Sequence, residues 1–226
     1  MDRQLKLNEN DKRDGKRAGF YWKENKPYVS VTTVLKVLDK PALRWWFGKE
    51  VYYAMAKDPT LSESEAMHVP SETSEAAKAR GATIHSIVEA YQKEGAVIDV
   101  PEPYKGYAQA FYNWIKDYKM TVVEHEKTFF DETNKIAGTL DLITKNNGDT
   151  WVIDVKTGKD IYDEAHLQIS AYKRMSGVTR GGVLLLQESG KYKFAESEDY
   201  FEEFLCAKKL WEFQNREIVK KVGYGN

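Results

Sequence analysis

The chain has 226 residues, 42% of them hydrophobic, enough to bury one sizeable core. Charge is balanced, 34 basic residues against 35 acidic for a net −1, which excludes a uniformly basic nucleic-acid coat or a membrane-coating protein; any anionic partner must be held by a local patch. A single cysteine, Cys206, excludes an internal disulfide and any cysteine-only zinc or iron–sulfur site.

The first stretch, "MDRQLKLNENDKRDGKR", is polar, lacks the apolar run of a signal peptide, and reads as a mobile arm over residues 1–18. "GFYWKENKPYVSV" reads as a short hairpin, followed by a helix from Thr32 or Thr33. Pro41 opens "PALRWWFGKEVYYAMAK", since proline suits a first helical turn. After Asp58-Pro59, "SETSEAAKARGATIHSIVEAYQKEG" is a long helix stopped by Gly95, and "PEPYKGYAQAFYNWIKDYK" is another, amphipathic one. The period then switches to two: "TVVEHEKTFFDETN", "IAGTLDLITK" and "TWVIDVKTG" are strands. A helix "EAHLQISAYKRMSG", a buried strand "GGVLLLQES", an edge strand "KYKFAES" and a closing helix from Tyr200 to Ile218 complete the chain. Apolar runs such as Val183 to Leu186 are far too short to span a bilayer, so a soluble, cytoplasmic protein without membrane contact is expected. The order predicts an α/β fold: a mixed central sheet flanked by helices, with helical additions at the front.

One strand breaks its own pattern. In "TWVIDVKTGK" the alternation places Asp154 and Lys156 on the same side as buried Val152. Asn147-Gly148 is a strong two-residue hairpin signal, and the register it sets places Asn146 opposite Asp149, Thr144 opposite Trp151, Leu142 opposite Ile153, Asp141 opposite Asp154 and Thr139 opposite Lys156. Facing carboxylates, with Cβ atoms about 4.5–5.5 Å apart, repel unless a cation lies between them. Hard oxygen donors suit Mg²⁺ or Mn²⁺. An isolated Asp-x-Lys is ordinarily a solvated pair, and a one-residue change of turn would undo the register.

With "GTLDLI", "WVIDVKTGK" and "HLQISAY" in this order, the chain resembles the PD-(D/E)xK nuclease superfamily, in particular its RecB-like exonuclease branch. The resemblance implies a restriction-endonuclease-like core over residues 101–226, walled by residues 19–100 within one domain of residues 19–226. It implies catalytic roles for Asp141, Asp154, Lys156, Gln168 and Tyr172, and a metal held by Asp141, Asp154, the Val155 carbonyl and His85, the histidine of "RGATIHSIVEA". "YVSVTTVL" with "PALRWW" is similar to the front of small phage and mitochondrial single-strand exonucleases. The implied activity is Mg²⁺- or Mn²⁺-dependent hydrolysis of DNA, from single strands or frayed ends. An endonuclease on the same core and a DNA-binding module without cleavage are the alternatives. Relatives that carry an iron–sulfur cluster use four cysteines, so none is expected here. No protein partner in recombination or replication is legible.

The remaining positions read as follows. Glu89 shares a helical face with His85 and is placed to orient it from behind. Glu126, on the strand before the acid hairpin, is the better of Glu124 and Glu126 for reaching the metal through water; plain exposure would explain both equally well. Gly81, one turn before His85, is a point where a phosphate backbone could approach. Trp45, Trp46, Phe47, Tyr52 and Tyr53 make an aromatic-rich helix of the residue type that normally fills a core. From it, Trp45 and Tyr52 are the candidates for stacking on unpaired bases. Lys12, Arg13, Lys16, Arg17, Lys208 and Lys209 are the available phosphate contacts.

Overall fold

The computed structural model describes residues 15–94 and 100–224; Lys12, Arg13 and the expected stop at Gly95 lie outside them. Strands β1 (Gly15–Arg17), β2 (Phe20–Lys23) and β3 (Lys26–Ser30) form a small meander. The end of the expected arm is thus a strand, since Gly15–Arg17 pairs with Phe20–Trp22. Glu24 and Asn25 both take positive φ, 49° and 61°, the two-residue turn whose twist matches its flanking strands. Helix α1 (Val31–Val34) runs through a single tighter turn, and α2 (Pro41–Lys57) starts at its proline as expected.

Helix α3 (Glu63–Glu94) begins earlier than the sequence pattern suggests. Its start is a capping box: Glu65 accepts the Ser62 N–H at 2.9 Å, and Ser62 Oγ accepts the Glu65 N–H at 3.3 Å. The helix runs through Pro70, which forfeits one backbone bond but is itself buried. Helix α4 (Lys105–Tyr118) buries Tyr107, Ala110, Phe111 and Trp114, and ends where Lys119 turns left-handed at φ 50°.

The rest is β4 (Thr121–Asp131), β5 (Ile136–Asn146), β6 (Asp149–Lys156), α5 (Asp163–Ser176), β7 (Arg180–Leu186), β8 (Tyr192–Glu196), α6 (Phe201–Gln214) and α7 (Arg216–Val222). The closing helix is therefore two helices, broken at Asn215. One mixed sheet runs β1-β2-β3-β5-β6-β7-β8, with β4 also paired to β5. One core, with Val152, Ile169, Val183 and Phe204, lies on the α5–α6 face; the other, with Phe111, Trp114, Ile153 and Leu184, lies on the α3–α4 face.

Strand β5 is shared in an unusual way. Along one edge it pairs with β3 at Ile136 and Ala137, and with β6 only from Leu142 to Asn146. Between them, residues 138–141 have no ladder partner on that edge among the described residues. Strand β6 continues beside β7 to Lys156–Leu185, so β5 and β6 diverge there like the arms of a fork.

Among the described residues, no helix is long and apolar enough to cross a membrane.

Candidate active site

The fork is where the candidate residues gather. The hairpin register holds for Asn146–Asp149, Thr144–Trp151 and Leu142–Ile153. The next expected rungs do not form. Instead of a ladder pair with Asp154, the Asp141 carboxylate accepts the Val155 N–H at 2.8 Å. Thr139 pairs with Thr128 of β4, not with Lys156, and its hydroxyl lies 3.0 Å from Tyr21 Oη. Leu140 and Ile143 pack on the α5 side while Leu142 packs on the α3–α4 side, so the alternation slips at Asp141.

Asp154 behaves as its strand position dictates. It points to the α5 face with 0% exposure, its carboxylate 2.7 Å from Lys156 Nζ. Gln168 donates from Nε2 to Asp154 Oδ1 at 2.7 Å and to Tyr172 Oη at 3.0 Å, while its Oε1 accepts from Lys156 at 3.4 Å. Four of the expected residues therefore form one connected cluster. Its floor is Gly138, where an added Cβ would fall 2.6 Å from Tyr172 Cε1. Burial, then Asp154 and Asp141, hold the Tyr172 phenol well above its ordinary pKa, so it stays neutral. Burial pulls the Lys156 ammonium downward, but Asp154 and Asp141 outweigh it and leave the pKa raised.

On the other arm, α3 passes across the fork. Its Gly81 lies over Thr157, where an added Cβ would come 3.9 Å from Oγ1, and one turn later His85 reaches Asp141 Oδ1 at 3.7 Å. His85 Nδ1 is also 3.4 Å from Glu126. Donor atoms of His85, Glu126 and Asp141 all lie within 4.8 Å of one another. Asp154 is not in that group, although its charge is felt at Asp141.

The position of Glu126 departs from expectation. Strict alternation would aim Glu124 and Glu126 together, away from His125. Glu124 instead pairs with Lys127, while both His125 and Glu126 reach α3, with His125 Nε2 3.8 Å from Glu89. The cause is a left-handed residue in mid-strand: Glu126 has φ 47°, between the ladder pairs His125–Leu142 and Lys127–Leu140. That conformation costs a bulky residue roughly 1–3 kcal/mol and swings the carboxylate directly to His85. Nothing in a sequence marks a glutamate for such a backbone. Glu89, expected behind His85, also reaches His125 on β4.

One imidazole and two carboxylates suit a hard divalent ion, and the acids present are undercompensated, as a cation site requires. Burial first, and Asp154 second, push the Asp141 carboxyl up to about 7, against the pull of His85, Lys156 and the Val155 N–H. In the unfolded chain this group has its ordinary value of 3.8. Between about pH 4 and 7 the unfolded chain releases the proton while the folded chain keeps it, so metal-free stability falls across that window. The loss should reach ~4 kcal/mol at most. Urea unfolding in EDTA should show the decline, and Asp141→Asn should remove most of it. An unchanged profile in the variant would show that Asp141 is not the strained carboxylate.

The basic residues contribute less than their number suggests. Lys208 is paired with Glu212 and lies over Tyr224, and Lys16 lies 5.1 Å from the Tyr21 ring centre. Of the aromatic helix, Trp45, Phe47, Tyr52 and Tyr53 are exposed rather than core.

No family model matches the chain, and neither does any curated protein. Among solved structures it is similar to the alkaline exonuclease LHK-Exo of Laribacter hongkongensis, at 13% identity and a TM-score of 0.49, over 88% of this chain and 91% of that one. It is likewise similar to that exonuclease in complex with dAMP, at 15% identity and a TM-score of 0.42, over 85% of this chain and 94% of that one. A third similar structure, SSO0001, gives 15% identity and a TM-score of 0.43, over 85% of this chain and 77% of that one.

Proposed function

We propose that this chain is a divalent-metal-dependent DNA exonuclease of the PD-(D/E)xK type, RecB-like branch, acting on single strands or frayed ends. The observation that carries the reading is the fork itself. It presents Asp141 with His85 and Glu126 on one side, and Lys156 with Asp154 on the other. His85, Glu126 and Asp141 would hold Mg²⁺ or Mn²⁺, with the imidazole favouring Mn²⁺, and Asp154 and the Val155 carbonyl as further donors. Such an ion supplies Lewis acidity to the scissile phosphate and acidifies the attacking water. Lys156 stands beside that centre with its ammonium held by Asp154 and Gln168, placed to meet charge building on the phosphate oxygens. Gln168 in turn is braced by the neutral Tyr172. Gly81 leaves room for a phosphate to pass along α3.

The way in favours an end of the strand. Helix α3 lies over Thr157 and Asp141, and Lys40, immediately before α2, is tied to Glu164 at the start of α5 at 2.9 Å. A strand reaching Lys156 then passes beneath the α2–α3 pair. Linear single-stranded DNA should be degraded in Mn²⁺ while closed circular single strands largely survive. A time course on both, resolved on denaturing gels, checks this. Rapid cutting of circles would make the chain an endonuclease, and no cutting of either would defeat the nuclease reading.

A further inference from the structure

We infer that the outward face of α2 is a track for one unpaired nucleic-acid strand, leading to the Lys156 end of the site; this rests on the nuclease reading above. Helix α2 has no buried residue. It leans on α3, with Trp46, Val51 and Ala54 half-buried, and its other side is exposed. That side lines a groove of about 710 Å³ with Pro41, Arg44, Trp45, Gly48, Lys49 and Tyr52. Such spacing makes one continuous stripe on a helix.

The stripe has the wrong chemistry for a missing piece of core. Trp45 is 81% exposed and Tyr52 67%, so these two rings bury little of themselves in the fold. They stand seven residues apart, roughly 10 Å along the axis. Between them is Gly48, where an added Cβ would meet nothing within 4 Å, so the space is open. Arg44 and Lys49 flank the rings, and no acid is among the six lining residues. Arg44 is paired with Asp39 at 2.7 Å, but both side chains are well exposed, so a phosphate can take the place of that carboxylate. Rings for bases alternating with cations for phosphates are what a strand needs when it is bound without sequence readout. The stripe starts next to Lys40, which is paired with Glu164 at the start of α5, the helix whose Gln168 meets Lys156.

The test is binding of a fluorescein-labelled oligothymidylate to the full chain in EDTA, where cleavage does not occur. Trp45→Ala and Tyr52→Ala should each weaken binding roughly 5- to 100-fold, and Trp45→Phe should restore most of it where Trp45→Leu does not, because stacking needs a π face. Replacing Arg44 or Lys49 by Gln should lower the slope of log affinity against log salt by about 0.7 each, an effect the ring variants lack. Both rings are largely exposed, so these variants should fold, and circular dichroism checks that they do. Loss of affinity without the aromatic rescue, or unchanged affinity in both ring variants, overturns the track. Self-association of the wild type that Trp45→Ala abolishes, with oligothymidylate affinity intact, would overturn it in favour of a second copy of the chain. Hydrolysis of bis(p-nitrophenyl) phosphate by wild type, a diester too small to reach α2, separates the two ideas: its absence counts against the site, its presence with failed ring variants against the track alone.

Discussion

Lys156→Met should slow cleavage by roughly 10²- to 10³-fold while Mn²⁺ still binds. The ammonium is not among the donor atoms gathered at His85, Glu126 and Asp141, so its loss leaves that group intact. On the proposed reading it removes a positive charge beside the scissile phosphate, worth most when charge has developed there. It also leaves Asp154, fully buried, with Gln168 as its one side-chain hydrogen-bond donor among the described residues. Stranding a buried carboxylate destabilises by up to a few kcal/mol, less here because Lys156 is 38% exposed. Single-turnover cleavage beside a Mn²⁺ titration should show the rate falling and the affinity kept. If both fall together, Lys156 holds the site rather than acting in the reaction.

Gly138→Ala should do comparable damage from beneath. A Cβ there would sit 2.6 Å from the Tyr172 ring, which is 2% exposed and has nowhere to go. Overpacking of this kind costs roughly 1–3 kcal/mol. Displacing Tyr172 also frees Gln168, and with it Asp154 and Lys156, so at least a ~10-fold loss in turnover should accompany the loss of stability. Shrinking the obstacle should relieve the clash: Gly138→Ala with Tyr172→Leu should be more stable than Gly138→Ala alone. Gly106→Ala is the control for plain destabilisation. Its Cβ would land 1.7 Å from the Glu188 carbonyl oxygen, a backbone collision at the far turn, and it should lower the melting temperature without lowering turnover in the protein that remains folded. If Gly138→Ala behaves like Gly106→Ala, Tyr172 has no positioning role.

Much of this was legible in the chain because it depends on local rules. Asn147-Gly148 fixed the hairpin register as far as Leu142–Ile153, and period-two patterning placed Asp154 on the face of Gln168. The reading failed where one strand serves two neighbours. Pairing with β3 at Ile136 and Ala137 comes from a segment more than a hundred residues earlier, and no local pattern announces it. That sharing opens the fork, so the expected Asp141–Asp154 rung is missing. Glu126 is legible only as reaching the metal through water; its direct approach to His85 depends on a left-handed backbone that runs against its own preference. The aromatic helix deceived in the opposite sense, since composition alone suggests a core and only the packing of α2 shows four of its five rings left outside.

The fork has a further consequence. A sheet ordinarily saturates its own amides and carbonyls, which is why its interior is chemically silent. Here that β5 edge is paired only at its two ends, and among the described residues the stretch from Gly138 to Asp141 has no ladder partner on it. Asp141 already borrows an amide from the neighbouring strand to fill part of the gap. A cation drawing on the same carboxylate, and on the proposed β6 donors Asp154 and the Val155 carbonyl, would knit the two arms from the side, as a clasp rather than a stitch. Ligation and the mechanical continuity of the sheet are then one event, and the stiffness of the fork becomes a property of what is bound in it.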